Sequence, residues 1–181
     1  MSTQPPSRQR SSLVDALTAL TLLTLAAPVG AVRFTPVSVE ELAARSDTCV
    51  VGRVVDEQVG WNDARTLIVT TWTFEVEETL AGEAASQLLR IHRVGGSLEG
   101  MTLHYDGMPE LRSGERTAVF LHRRAENAWI VSGMRLGVLP EREGEFQRDL
   151  ADVLGASTTS EGFALPELRR RVRTGAERRA P

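Results

Sequence analysis

The sequence predicts a mainly β fold, a small antiparallel barrel of five or six strands with a short N-terminal helix and a C-terminal helix. Three observations carry this prediction. Short apolar, β-branched runs recur along the middle of the chain, turn residues separate them, and most have no helical pattern between them. Consecutive short strands of this kind form antiparallel sheets that bury one face by closing or by packing against a second layer.

The composition is that of one ordinary globular domain. The chain has 181 residues, of which 41% are hydrophobic and 25% are charged, a balance that provides a core and is unlike that of a disordered chain. All 21 basic residues are Arg. We attribute this bias to the source genome rather than to function.

The first 31 residues have the features of a secretory signal peptide. A basic segment precedes an apolar stretch, residues 16–27, that is too short to span a bilayer, and Val29 and Ala31 are small residues at the −3 and −1 positions of a cleavage site. Cleavage there would begin the mature chain at Val32, and an uncleaved N-terminal anchor is the alternative. We therefore expect an exported protein, periplasmic or extracellular, without a transmembrane helix after cleavage.

The mature chain begins with a helix signal. Ser38 with Glu41 three residues later is a capping box, which predicts a short helix over residues 39–45. Beyond it the pattern changes to strands, and near residue 150 it changes again. We therefore expect four segments: a signal peptide (1–31), an N-terminal segment with a short helix (32–45), a β-barrel domain (46–150), and a loop, basic helix and tail (151–181).

The strand pattern is clearest in residues 66–80. Apolar residues from Ile68 to Val76 recur with a period of two, and threonines and glutamates occupy the alternate positions, as in a half-buried strand. Shorter runs follow and are interrupted by turn residues. The predicted further strands are "QLLRIHRV", "MTLHY", "RTAVFLH" and "AWIVSGMRL".

The C-terminal segment predicts a loop over residues 157–164 and then a helix, with Pro166 in its first turn and Gly175 past its end. Residues 166–181 hold six Arg and two Glu, a net charge of +4, whereas residues 32–165 hold 13 Arg and 21 acidic residues, a net charge of −8. An acidic body with a basic tail is predicted.

No residue pattern indicates a catalytic, metal or cofactor site. The single cysteine, Cys49, lies in an apolar run with no nearby His, which favours a buried thiol over a nucleophile. His92, His104 and His122 are 12 and 18 residues apart on separate predicted strands, and only their tertiary convergence would form a zinc site. We expect no catalytic residues, no cofactor and no bound metal.

Five glycines fall within residues 95–115, which begin with Gly95 and Gly96. A phosphate-binding loop would lead into a helix, whereas this segment leads into strand-like runs. Glycines paired with Asp, Ser or another Gly favour turns with a positive φ or a close backbone approach. We interpret the segment as turns, with a ligand-binding loop as the alternative.

These motifs resemble those of small exported bacterial proteins of unknown function. "TTWTFEVEETLAG" matches a T-x-x-x-F-x-V-x-x-x-L-K-G pattern, with Ala81 in place of the Lys. "GMPELRSGERTAVFL" matches a following G-x-P-x-L-x-x-G-E segment, and "GMRLG" and a final helix complete the ordered set over residues 46–173. The resemblance implies an exported β-rich domain, without implying an activity.

The layout is more distantly similar to the OB-type barrel of netrin-like domains, which include the tissue inhibitors of metalloproteinases. This similarity implies an OB-like barrel. Those inhibitors act through an N-terminal Cys that chelates zinc, whereas the mature chain here would begin at Val32. Because fold analogy alone does not transfer function, the similarity carries no inhibitory mechanism.

The leading functional prediction is a non-enzymatic binding or interaction module in the cell envelope or outside the cell. Inhibition of a secreted protease and an unrecognised hydrolase are the alternatives. The expected partner is an unknown protein or an anionic envelope component, without specific binding to nucleic acid. Loops on rigid barrels commonly carry binding, and an Arg cluster can hold an anionic surface. The candidate surface residues are Trp61, Gly95, Gly96, Arg169, Arg170, Arg171 and Arg173.

Overall fold

The protein is described by a computed structural model that covers residues 34–84 and 86–179. The predicted signal peptide lies outside these residues. The described chain is mainly β, as predicted, and its strands number ten rather than five or six. The strands are β1 (Thr48–Trp61), β2 (Ile68–Gly82), β3 (Leu88–Val94), β4 (Gly96–Leu98), β5 (Met101–Leu103), β6 (Arg116–Ala125), β7 (Ala128–Val131), β8 (Val138–Arg142), β9 (Glu145–Asp149) and β10 (Ser160–Ala164). The helices are α1 (Val39–Arg45) and α2 (Leu165–Glu177).

Helix α1 is confirmed together with its capping box. The Glu41 backbone N–H donates to Ser38 Oγ at 3.1 Å, and the Ser38 backbone N–H donates to Glu41 Oε2 at 2.8 Å. These two bonds satisfy donors that a helix N-terminus otherwise leaves unpaired. The helix buries Val39 and Leu42 against the sheet.

Strands β1 and β2 form a long antiparallel hairpin whose turn is held by one side chain. Asn62 Oδ1 accepts the backbone N–H groups of Thr66 and Leu67, at 2.8 and 3.0 Å. Along β2 the buried positions alternate from Ile68 to Phe74, which confirms the predicted period of two. The side of β2 that carries Val69, Thr71 and Thr73 is called the outer face below.

Eight strands form one sheet in the order β1-β2-β3-β7-β6-β8-β9-β10, and β1 also pairs with β6. These pairings return to β1 through β2, β3, β7 and β6, but β3 and β7 share a single parallel pair, Ile91 with Trp129. Regular closure requires a continuous ladder between neighbouring strands. The sheet is therefore larger than predicted and is not closed into a regular barrel.

One predicted strand and one predicted loop differ from the structure. The run "AWIVSGMRL" is not one strand, because Gly133 has a positive φ of 71° and a 3-10 turn follows it over Met134–Gly137. Residues 157–164 are not only a loop, because Ser160–Ala164 forms β10 beside β9. The polar composition of that strand concealed it, and only the pairing of Phe163 with Phe146 reveals why it is extended.

Helix α2 is confirmed, with Pro166 in its first turn, but Gly175 lies inside the helix rather than past its end. The reason is a close approach between helices. A Cβ on Gly175 would lie 2.2 Å from the backbone oxygen of Glu40 in α1. Glycine is therefore required for the contact rather than for ending the helix.

The core has two clusters, one on each side of the sheet. One contains Trp72, Phe74 and Trp129, and the other lies under the two helices and contains Phe120 and Phe146. Strand β6 supplies both clusters with alternate side chains, which explains its continuous apolar run. Among residues 34–84 and 86–179, no helix is both long and apolar enough to cross a bilayer.

Candidate binding site at the end of the β1–β2 hairpin

Two concave surfaces lie on opposite sides of the hairpin near its turn. The outer groove, of about 400 Å³, is lined by residues that include Gln58, Gly60, Trp61, Thr71, Arg90 and His92. The inner cavity, of about 350 Å³, is lined by residues that include Glu57, Thr70, Arg93, Gly96, His104 and Glu110. Both volumes lie near the lower end of the range of about 300–1,000 Å³ for small-molecule sites.

The floor of the outer groove is a row of polar side chains across three strands. Gln58 on β1 is opposite Thr71 on β2, which in turn is opposite His92 on β3. Thr71 Oγ1 and His92 Nδ1 are 2.9 Å apart and share a hydrogen bond. Gln58 Nε2 donates to Asp56 Oδ2 at 3.0 Å, which directs the amide along the strand.

His92 is a neutral group in this groove. Burial lowers the pKa of its imidazole, and the nearby Arg90 guanidinium lowers it further. At pH 7 the ring therefore has one N–H donor and one acceptor nitrogen. With the Thr71 hydroxyl and the Arg90 donors, it gives the groove both kinds of hydrogen-bonding group.

Gly60 and Trp61 complete the groove at the end of β1. The Trp61 side chain is 36% exposed, and Gly60 is opposite Val69 on the outer face. A Cβ built on Gly60 would meet no atom within 4 Å, and its φ is not in the left-handed region. The fold therefore does not require glycine at this position, and any side chain there would extend into the groove.

Gly95 and Gly96, beside the inner cavity, allow a close contact between backbone segments. The Gly95 backbone N–H donates to the Ile68 carbonyl at 2.8 Å, and Thr70 Oγ1 donates to the Gly95 carbonyl at 2.7 Å. A Cβ on Gly96 would lie 2.8 Å from Thr70 Oγ1 and 2.9 Å from Val59 Cγ1. The two glycines let the β4–β5 hairpin approach β1 and β2 closely, which confirms their interpretation as turn and close-approach residues.

The four candidate arginines lie elsewhere, on α2, which contacts the far end of β2. Arg169 is paired with Glu78 at 2.8 Å, and Arg171 is paired with Glu167 at 3.0 Å. Arg170 and Arg173 are exposed, and Arg170 lies only 3.8 Å from the Glu167 carboxylate. The structure thus places Trp61 and the two glycines at the same end of the β1–β2 hairpin but on its opposite sides, and separates them from the arginines. Arg169, through Glu78, and Arg171, through Glu40 of α1 at 3.5 Å, connect α2 to the rest of the domain.

The side chains considered for nucleophilic or metal chemistry are scattered. Cys49 is buried, and burial raises the pKa of its thiol. His104 lies 3.4 Å from Asp106. His122, on β6, lies 2.7 Å from Asp47, which precedes β1. In the part of the chain that the structure describes, no three His, Cys, Asp or Glu side chains are grouped so as to hold a metal ion.

Sequence reasoning missed most of the polar residues of both surfaces. The outer groove depends on Gln58, Thr71, Arg90 and His92, and the inner cavity depends on Glu57 and Arg93. One signal was available: Asp56, Glu57 and Gln58 are three consecutive polar residues within β1, so this part of the strand is polar on both faces. A strand segment that is polar on both faces does not pack against the hydrophobic core on either side. Such a segment is a candidate binding surface.

No protein-family model matches the chain, and no curated protein sequence is significantly similar to it. What the two surfaces bind is therefore inferred from their own side chains.

Proposed function

We propose that the protein is an exported, non-enzymatic binding module whose ligand lies in the outer groove. Gly60 is the observation that carries this proposal. A strand interior with neither a positive φ nor a close neighbour gains stability from a β-branched residue, and glycine there is unfavourable. A position that favours an open groove over stability is typical of a binding surface.

The groove side chains indicate a polar ligand with one flat apolar face. Trp61 offers a partly exposed ring for stacking, and Gln58, Thr71 and His92 offer donors and acceptors in one row. Arg90 and Asp63 carry opposite charges in the same lining, so the groove has no strong field of one sign. This balance disfavours nucleic acid, whose binding requires a basic surface.

A hydrolase is the second candidate, because Thr71 and His92 are at the distance of a nucleophile and its base. A catalytic pair also needs a group that orients the imidazole, and among the described residues only Thr71 hydrogen-bonds to His92. Labelling of the wild type by a fluorophosphonate probe, absent in Thr71→Val, would favour the hydrolase. No labelling of either protein would favour the binding module.

We also propose that β1, β2, β3, β7 and β6 form an OB-like barrel related to the netrin-like domains and to the exported bacterial proteins that the motifs resemble. The parallel pair between β3 and β7 and the pairing of β1 with β6 support this proposal. Nuclear Overhauser contacts between Ile91 and Trp129 in solution would test it. Protease inhibition through an N-terminal Cys has no counterpart, because Cys49 is buried within β1.

Export is tested separately from binding. We expect N-terminal sequencing of the protein from its native host to begin at Val32. A chain that retains its first 31 residues would show an uncleaved anchor, and a chain found in the cytoplasm would contradict export.

The groove is tested by capture from the native envelope and culture medium. We expect the affinity-tagged, naturally processed protein to retain a ligand that resists washing at high salt. Gly60→Val should lose this ligand, because the new side chain occupies the groove. Arg173→Gln changes an exposed residue outside the groove and should retain the ligand. Equal capture by Gly60→Val and the wild type would contradict the proposal.

A further inference from the structure

The inner cavity holds three charged side chains in an unusual arrangement. Glu57, Arg93 and Glu110 all line it. Among the described residues, none of the three takes part in an ion pair. The Nε of Arg93 is also shielded from solvent and has no hydrogen-bond acceptor in the described chain. Glu57 and Glu110 are exposed and solvated, whereas Arg93 is half-buried. The shielded Nε of Arg93 is therefore the one polar atom of the three side chains that neither the described chain nor solvent satisfies.

One buried indole holds two of these charges in place. Trp72, 1% exposed, donates its Nε1–H to Glu57 Oε2 at 2.8 Å. The guanidinium of Arg93 lies over the same ring, 5.3 Å from its centroid, in a cation–π contact. Trp72 therefore positions a carboxylate at its edge and a guanidinium at its face. Its side chain belongs to the core, which gives both charges a rigid support.

The β4–β5 hairpin covers one side of the cavity and is held in position by contacts with the sheet. The β4–β5 hairpin is anchored above β1 and β2 by the Gly95 and Gly96 contacts, and the Ser97 and Thr102 hydroxyls bond to each other across it at 2.9 Å. These hydroxyls and Thr70 thus have partners within the protein. The guanidinium of Arg93 and the solvent-facing carboxylates of Glu57 and Glu110 are the groups available to a ligand.

We propose that the inner cavity binds a free basic amino acid, such as lysine, arginine or ornithine. Its α-carboxylate pairs with Arg93, its α-ammonium with Glu57, and its side-chain cation with Glu110. The charges are complementary, because one guanidinium and two carboxylates match one anionic and two cationic groups.

Other ligand classes fit these charges less well. A simple anion would be attracted by Arg93 but repelled by Glu57 and Glu110. A metal ion would be repelled by Arg93, which lies in the same lining. A neutral amino acid would leave Glu110 without a partner and should bind more weakly than a basic one.

Calorimetric titration of the naturally processed protein tests the proposal with defined ligands. We expect L-lysine or L-arginine to bind, L-alanine to bind about tenfold more weakly or worse, and L-glutamate not to bind. L-lysine amide, which lacks the α-carboxylate, should lose about tenfold to a hundredfold in affinity. Because these comparisons change only the ligand, they do not depend on the folding of any variant.

Variants identify the side chains that contribute. Arg93→Gln should lower the affinity for L-lysine but leave the affinity for L-lysine amide nearly unchanged, since the amide already lacks that pairing. Glu110→Gln should reduce the preference for L-lysine over L-alanine. Glu99→Gln, in the turn of the β4–β5 hairpin but outside the lining, should bind as the wild type does.

Two outcomes would overturn the proposal. One is no binding of L-lysine, L-arginine or L-ornithine when each is titrated, and the other is binding of L-glutamate as tight as that of L-lysine. This inference is separate from the outer groove, because Gly60→Val should leave binding of L-lysine intact. L-lysine binding that is unchanged in Arg93→Gln would contradict only the inference from this cavity. Equal envelope capture by Gly60→Val and the wild type would contradict only the proposal for the outer groove.

Discussion

At the residue scale, Gly60 and Gly175 make opposite predictions for the same kind of substitution. We expect Gly60→Ala to raise the free energy of unfolding by about 0.5–1 kcal/mol, because the new Cβ meets no atom within 4 Å. Gly175→Ala should lower it by about 1–3 kcal/mol, because its Cβ would lie 2.2 Å from the Glu40 carbonyl oxygen. Urea denaturation of both variants measures the difference. A loss of stability in Gly60→Ala would mean that the fold does need this glycine.

Glu77 makes stability depend on pH. Hydrogen bonds from Arg116, at 2.6 Å, and from Arg53, at 2.7 Å, lower the pKa of its carboxyl. A lowered pKa in the folded state contributes stability above the ordinary Glu pKa, and this contribution is lost as the pH falls through the folded value. We expect Glu77→Gln to cost about 0.5–1 kcal/mol at pH 7.

The difference in the free energy of unfolding between Glu77→Gln and the wild type should become smaller when the pH falls from about 5 to about 2, which is below the ordinary Glu pKa. Urea midpoints at both pH values measure this change. Glu75→Gln, on the same strand and exposed, is the matched control and should change the free energy of unfolding little. An equal cost of Glu77→Gln at both pH values would show that the carboxylate charge is not involved.

Individual residues were predictable where their roles depend on near neighbours in the chain. Ser38 and Glu41 are three residues apart, so the capping box could be predicted before any tertiary structure was known. Thr71 and His92 meet only because β2 and β3 pair in a particular register. A polar residue on a strand gives no sign of its partner across the sheet, and this is why the outer groove was missed while Trp61 was found.

At the scale of elements, α1 depends on its cap. Ser38→Ala should cost about 1 kcal/mol of stability, because it leaves the Glu41 backbone N–H without an acceptor. Thermal unfolding followed by circular dichroism measures the shift. Ser157→Ala changes an exposed serine outside any helix and should leave the melting temperature nearly unchanged. An equal shift of the melting temperature in both variants would show that the Ser38 cap does not stabilise the protein.

Elements with strong local patterns were predicted, and elements defined by tertiary pairing were not. The alternation in β2 and the apolar stripe of α2 follow from their own sequences. Strand β10 contains Ser160, Glu161 and Gly162, and it is extended because Phe163 packs opposite Phe146 on β9. The single parallel pair between β3 and β7 has no local signature in the sequence at all.

At the scale of the whole molecule, α2 covers the second core cluster. Leu168 is fully buried among residues of α1 and the sheet. We expect Leu168→Ala to cost about 2–5 kcal/mol in urea denaturation. Leu154→Ala, at a side chain that is 46% exposed, should change stability by less than about 0.5 kcal/mol. A small effect of Leu168→Ala would mean that α2 is dispensable to the domain.

The basic C-terminal segment forms ion pairs with acidic residues of the rest of the domain. Arg169 reaches Glu78 on β2, and Arg179 pairs with Asp47 at 2.5 Å. The charge asymmetry predicted from the sequence is therefore partly an attraction within the molecule. Net charge gave the sign of each segment correctly, but only the fold shows that the two signs meet.

The pairing of β1 with β6 has a consequence for how the chain folds. Thr48 pairs with Leu121, so one edge of β1 stays without its partner until more than half of the chain has been synthesised. Contacts this distant along the chain slow folding, because loop closure must precede the contacts that offset it. The β1–β2 hairpin thus spends that interval with an open strand edge, which can pair with other chains and is prone to aggregation.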